Sequence, residues 1–437
     1  MQQHSLTKKK SGKNFMKKII SLGLSLFLLA GCGKNSKDSS YDPIPNFDFQ
    51  INKTACLFGQ SYLEKEIAPD LESEINSSFM TLSKNNADTQ SDFISKIIAN
   101  RTDHEFITPT FSSIMKKSML DYDVVFDKCS EILNSRKEEL KDFSKKVLTT
   151  PKPFFDKVFK FYETDLKKDH KFNVFIYPTL GNALGRATSF KDNILLKFNY
   201  GNKAYDMCLL LKEVCVRLYN EKSNSEKKSI RSYFSSHKSP YAKVSYLMLE
   251  DILANTISLW AHSKFIDNSD SPPPLDQNND INSLSKNLLP TLSKYLENEN
   301  HMDSKLFDSI ISAIQKLIPG SKDDINILMS KISLITESGI DVSTCNNILN
   351  SNFKIKNITN KPTIFTTIFI GNDLKNKNIS TVSSKIPTKA NDFIFTTKDP
   401  QNQFFIIIKT NDIAKIKTAI EKLKQLKEIK DGFEETL

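Results

Sequence analysis

Cysteine, histidine and glycine are all scarce in this 437-residue chain, and each scarcity removes a class of function. The six cysteines never stand at CxxC spacing, so neither a zinc knuckle nor a disulfide framework is implied. His104, His170, His237, His262 and His301 form no pair at i, i+3 or i+4, the spacing with which one helix face grips a metal. Asp103-His104-Glu105 and Asp169-His170 read as solvated polar stretches. With 12 glycines there is no glycine-rich phosphate loop and no GxSxG elbow, and spacing alone singles out no catalytic serine or cysteine. No repeat of fixed period is present. The apolar run from Ile19 to Ala30 has twelve residues, where a bilayer crossing needs about 20.

What remains is an ordinary globular composition, 39% hydrophobic and 10% aromatic, on a chain long enough for two or three domains with real cores. Its beginning is the most specific feature. Basic "KKKSGKNFMKK" precedes the apolar run, which ends in "LAGC" at Cys32, the pattern of a signal peptide over residues 1–31. Leu29-Ala30-Gly31-Cys32 resembles the lipobox of bacterial lipoproteins. That resemblance implies cleavage before Cys32, a diacylglycerol on its thiol and an acylated N-terminus, hence an exported chain held to a membrane by lipid. Met16 makes a more ordinary start than Met1.

Processing alters the charge. The whole chain carries 61 basic and 51 acidic residues, and residues 1–31 hold six lysines and no acid, so the remainder stands at 55 against 51. A net +4 gives no support to nucleic-acid binding. Residues 354–437 hold 15 lysines and 9 acids. Such a face is expected to be solvated, or to lie against anionic headgroups beneath a lipid anchor.

Residues 32–50, with "KDSSYDPIPN", read as a flexible tether, and 51–350 as a mainly helical body. Within the body, "FNVFIYP" (172–178) and "NILLKFN" (193–199) are expected strands, separated by the glycine-containing "TLGNALGRATSFKD". Helices are expected around 204–220 and from about Pro240 to Phe265, then three or four more between 282 and 350, "INILMSKISLI" among them. Cys208 and Cys215, seven residues apart on one helix and about 10 Å along its axis, are too distant to bridge and read as core; so does Trp260. A C-terminal α+β module over 351–437 is expected to hold strands at 363–370, 393–397 and 403–409. Its closing helix carries Ile413, Ile416, Ile420, Leu423 and Leu426 on one stripe. The fold class is therefore α+β, mostly helical.

One helix, "CLLLKEVCVRLYNE" (208–221), bears on chemistry. Strand, glycine turn, strand, helix and a second helix with an acid and "AN" follow each other here as in gluzincin metallopeptidases. "LKEVCVRLYN" (211–220) and "SPYAKVSYLMLEDILANTISLW" (239–260) resemble a bacterial branch of that clan with "LHELCHLLYD" and "SPYA…Y..LNEALAT…W". The likeness spans roughly 170–265. It implies a zincin-like central region in which Lys212 and Val216 stand at the two histidine ligands, Glu213 at the general base and Asp251 at the ligand glutamate. Both histidines are gone, so no zinc and no other cofactor is expected. The Lys212 ammonium is expected to take the place of the metal charge and to pair with Glu213 or Asp251. The function expected is a non-catalytic pseudo-metallopeptidase that binds a protein or peptide. The alternatives are a hydrolase with an atypical site or a purely structural envelope lipoprotein.

Overall fold

The computed structural model describes residues 46–50, 55–56, 59, 95, 130–148, 152–164, 170–178, 185–198, 202–266, 274–360, 366–400 and 403–437. The signal peptide, Cys32 with its lipobox, His104 and Cys129 lie outside the described residues, as does the tether up to residue 45. The tether's last five residues do not belong to it. Asn46–Gln50 form β1, which runs parallel to β2 (Lys171–Pro178) from the pair Asn46↔Lys171 onward.

β2 also pairs in parallel with β4 (Asn193–Phe198), and β4 takes the antiparallel β3 (Arg186–Phe190) on its far side, giving the order β1-β2-β4-β3. β2 and β4 are the two strands expected from the sequence. They are apolar without alternation because both faces are covered, and all six residues of β4 are buried. β3 was hidden in the glycine-containing segment: "RATSF" has one buried residue and little apolar signal, as befits an edge.

The helices are α1 (Lys137–Leu148), α2 (Lys152–Tyr162), α3 (Lys203–Asn220), α4 (Asn224–Ser236), α5 (Ala242–Ala261), α6 (Asn279–Glu297) and α7 (Ser304–Leu317). α3 lies between the small sheet and α5. Its residues 205–215 are all buried, so it has no solvent face until its last turn. Asn202 accepts a hydrogen bond from the Tyr205 N–H at 2.9 Å and fixes where α3 begins. Cys208, Cys215 and Trp260 are core residues as expected, with Trp260 stacked on Phe154 at 5.8 Å between ring centroids.

A second sheet of six strands follows, in the order β10-β8-β9-β7-β5-β6. It starts earlier than residue 351. "INILMSKISLI" is not one helix but the single turn α8 (Ile325–Leu328) followed by β5 (Lys331–Thr336), which pairs in parallel with both β6 (Asn357–Thr359) and β7 (Thr366–Ile370). A short apolar run fits either period, and the β-branched residues of "KISLIT" settle here for a strand. α9 (Val342–Asn352) is the crossover between β5 and β6. β8 (Phe393–Lys398) and β9 (Phe404–Lys409) make the expected hairpin, β10 (Glu434–Thr436) adds to β8, and β9 joins β7 in parallel.

The side chains of this sheet alternate between two cores. Phe369, Phe393, Phe405 and Ile407 form a small cluster with Ile379 and Val382 of the 3-10 segment Lys377–Lys385. Ile368, Ile370, Ile406 and Ile408 face the other way, into a core that also takes Ile416, Ile420 and Leu423 of α10 (Ile413–Gln425) and is continuous with that of α3 and α5. The C-terminal module is thus joined to the body through shared apolar packing. Ile413, placed on the helix stripe by its spacing, is 38% exposed and lies off it. The lysine-rich face of α10 is partly neutralised: Lys415 pairs with Asp392 at 2.7 Å and Lys422 with Glu435 at 2.6 Å. Among the described residues no helix is long and apolar enough to cross a membrane.

A buried charge cluster on two core helices as candidate functional site

Four ionisable side chains on α3 and α5 are withdrawn from solvent around the positions that the peptidase likeness marks. Lys212 and Glu213 are both buried on α3, and Val216, one turn after Lys212, is a partly buried residue packed on the core. Glu250 and Asp251 lie on α5, which packs along α3. Burying charges requires partners, and the structure supplies one for each.

Lys212 does not point to solvent, nor does it pair with Glu213 or Asp251. Its Nζ lies 2.5 Å from Asp276 Oδ2 and donates to the Leu275 carbonyl at 3.2 Å, with the two side chains 11% and 16% exposed. Asp276 comes from the stretch before α6, a partner that helix spacing cannot reveal because it is 64 residues away. That stretch is pinned: Asn282 accepts from the Asp276 N–H at 3.0 Å and donates to the Asp276 carbonyl at 2.7 Å, and Asn255 of α5 reaches Asn282 at 3.4 Å. Asn255 is the asparagine of the "AN" that drew notice in the sequence, and it stands behind the aspartate that holds Lys212.

Glu213 turns the other way, to the edge strand. Its Oε2 accepts from the Ser189 N–H at 2.8 Å and the Ser189 hydroxyl at 2.7 Å. Ser189 sits opposite Ile194 with its N–H directed away from β4, so the carboxylate satisfies a backbone donor that a sheet edge otherwise leaves open. Burial pushes the Glu213 carboxyl above its ordinary range; the Lys212 charge and the Ser189 bonds oppose that shift without cancelling it.

Asp251 is claimed by the C-terminal module. Its Oδ2 lies 2.7 Å from Lys356 Nζ. Burial would raise the Asp251 carboxyl, but Lys356, Lys331 and Lys212 outweigh it and hold the group below the usual carboxylate range. Beside it, Glu250 accepts from Lys331 Nζ at 2.9 Å and from Asn220 Nδ2 at 2.7 Å. Burial opposes the charge on Lys331 too, yet Glu250 and Asp251 raise its affinity for the proton overall. The structure thus gathers Lys212, Glu213 and Asp251 into one electrostatic neighbourhood and adds Asp276, Ser189, Lys331 and Lys356, which sequence spacing did not indicate. The only available signal was compositional: acids in the polar stretch after α5 and lysines in the C-terminal module.

This set does not fit zinc. Lys212 presents a cation, Val216 an alkyl group, and the one carboxylate at a ligand position, Asp251, is occupied by Lys356. Among the described residues, no group of three or more His, Cys, Asp or Glu side chains is disposed to hold a metal ion. Three of the described histidines lie beside acids: His170 Nε2 is 2.8 Å from Asp192, His237 Nε2 3.2 Å from Asp308 and His301 Nδ1 3.5 Å from Glu163. No protein-family model, curated protein or solved structure matches this chain.

Proposed function

We propose that the protein is a lipid-anchored, extracytoplasmic lipoprotein whose central region is a non-catalytic pseudo-metallopeptidase that binds a protein or peptide. The observation that carries the reading is the replacement of a metal grip by ion pairs. Lys212 is bound to Asp276 and Asp251 to Lys356, so two of the three positions that the peptidase likeness assigns to zinc ligands are satisfied by protein charges and the third, Val216, packs on the core. Without zinc, Glu213 has no metal-bound water to activate, and its carboxylate is spent on Ser189.

Binding is supported by β3, an edge strand of the small sheet among the described residues, whose Ser189 N–H is taken by Glu213. Ala187, two residues before Ser189, turns its N–H and C=O to the same side, the arrangement by which an extended peptide adds to a sheet. Membrane attachment rests on Leu29-Ala30-Gly31-Cys32 following a basic and then an apolar segment.

Two measurements test this reading. Purified protein beginning at residue 33 is expected to carry no stoichiometric zinc and to show no chelator-sensitive peptide cleavage. Stoichiometric zinc, removed by chelator together with cleavage, would overturn the non-catalytic reading. For the anchor, Cys32→Ser is expected to move the chain from the membrane to the soluble fraction; an unchanged membrane fraction would overturn lipidation.

A further inference from the structure

Lys243 is the second residue of α5, and its Nζ is buried without a hydrogen-bond partner. It lies 4.8 Å from the ring centroid of Phe404, the first residue of β9. A second ammonium, that of Lys398 at the end of β8, lies 4.3 Å from the same centroid. The turn end of the β8–β9 hairpin therefore brings a cation and an aromatic face onto an amine that the body presents from the first turn of α5.

We propose that the junction between the helical body and the C-terminal module closes only around an uncharged Lys243 amine, so that module docking tightens as the medium becomes alkaline.

Burial and the Lys398 ammonium together argue against a cation at this place. Lys398 repels it, and the α5 first turn contains no acid while the positive end of the helix dipole lies there. Asp399 attracts it, but Asp399 Oδ1 accepts from the Gln403 N–H at 2.9 Å and closes the hairpin turn instead. Asp323, in the 3-10 segment Pro319–Asp323 beneath the hairpin, faces Lys398 at 3.7 Å. Burial first, and Lys398 second, push the Lys243 amine down to about 7, against the weaker pull of Asp399. An anion between the two lysines would satisfy both in another way, but Lys243 Nζ packs over a ring and Lys398 already has Asp323.

The sign follows from linkage. In an opened junction Lys243 regains its ordinary affinity for protons, so between about pH 10 and pH 7 the open form holds one more proton than the closed form. Opening is then favoured about tenfold for each unit of acidification in that window and levels off below it. The other ion pairs along α5 do not share this behaviour. Asp251 is held low while Lys331 and Lys356 are held high, so they stay charged across the same window.

Hydrogen exchange on the full mature chain reads the junction directly. The Ile429 N–H donates to the Asp323 carbonyl at 2.9 Å and the Ile325 N–H to the Lys427 carbonyl at 3.4 Å, and both bonds cross it. Corrected for intrinsic exchange, their protection is expected to rise several-fold to tenfold from pH 7.5 to 8.5 in the wild type and to stay flat in Lys243→Met. In Lys398→Gln, which keeps the amine but removes its repeller, the rise is expected to shrink. Flat wild-type protection, or an undiminished rise in Lys243→Met, would overturn the proposal. If Lys243→Met does not fold, an undiminished rise in Lys398→Gln decides against it equally. Protection that becomes pH-independent on adding inorganic phosphate would assign the site to an anion and also overturn it.

Discussion

At Glu250 and Asp251 the middle of α5 offers two acids to two lysines of the C-terminal module, whereas two turns earlier Lys243 offers an amine to another lysine. Both places join the same two parts of the molecule, and apart from Lys356 the groups of the first are largely withdrawn from water. In the first, opposite charges meet at 2.9 and 2.7 Å, with the Asp251 carboxyl held low and the Lys331 and Lys356 ammoniums held high. In the second, among the described residues no carboxylate bonds the amine and Lys398 outweighs the pull of Asp399, so the group yields its proton. One interface thus contains a fixed clamp and a pH-sensitive latch, and the presence or absence of a carboxylate within reach distinguishes them.

The comparison is broken most severely at the cluster's most enclosed pair. Lys212→Met leaves Asp276 charged, enclosed and without its ammonium, and is expected to cost about 3 kcal/mol in urea unfolding. The double variant Lys212→Met with Asp276→Leu is expected to recover most of that loss, because the desolvation of both ions disappears together. A double variant as unstable as the single would mean that Lys212 acts by its shape rather than its charge.

A smaller effect is expected from the carboxylate turned toward β3. Ser189→Ala strips one donor from buried Glu213 and is expected to cost about 2 kcal/mol. Glu213→Gln keeps an acceptor for both Ser189 donors and removes a desolvated charge, so it is expected to equal or exceed the wild type at pH 7. The sign comes from the raised carboxyl: its contribution to stability is full below the unfolded value and falls as pH rises through the folded one. Urea midpoints at pH 4.5 and 7 should therefore diverge between Glu213→Gln and the wild type. Parallel midpoints would contradict the burial of this charge.

The smallest effect belongs to the pair that reaches the surface. Lys356 is 53% exposed, so Lys356→Ala is expected to cost at most about 1 kcal/mol. The depressed Asp251 carboxyl contributes stability above its unfolded value that is lost as pH falls through the folded one. Asp251→Asn should thus flatten the acid limb of the stability profile below about pH 4, a range set by the ordinary aspartate value. An unchanged acid limb would remove Asp251 from the set of working ion pairs.

Much of this frame was legible from residue patterning. The two buried strands β2 and β4, the helices α3 and α5 and the β8–β9 hairpin stand where periodicity puts them, because each carries an apolar pattern set by its own burial. β3 and β5 were missed for opposite reasons. "RATSF" is too polar to declare itself, and "KISLIT" follows a helical turn so closely that their apolar residues merge into one apparent period. The charged partners were illegible on different grounds. Asp276, Lys331 and Lys356 reach the cluster across 64, 81 and 105 residues of sequence, and no local rule couples groups so far apart. Lys212 was expected to pair with Glu213 or Asp251, but its partner is Asp276, which only the tertiary fold brings to it.

β1 has a mechanical consequence. Because Asn46 is already hydrogen-bonded into the small sheet, a chain lipidated at Cys32 has only residues 33–45 with which to stand away from its membrane. Fourteen Cα-to-Cα steps of about 3.5 Å set a leash of at most about 50 Å. With the anchor proposed above, the small sheet explores no more than a shell of that depth above the headgroups, and a partner of the kind proposed for its β3 edge is met only there.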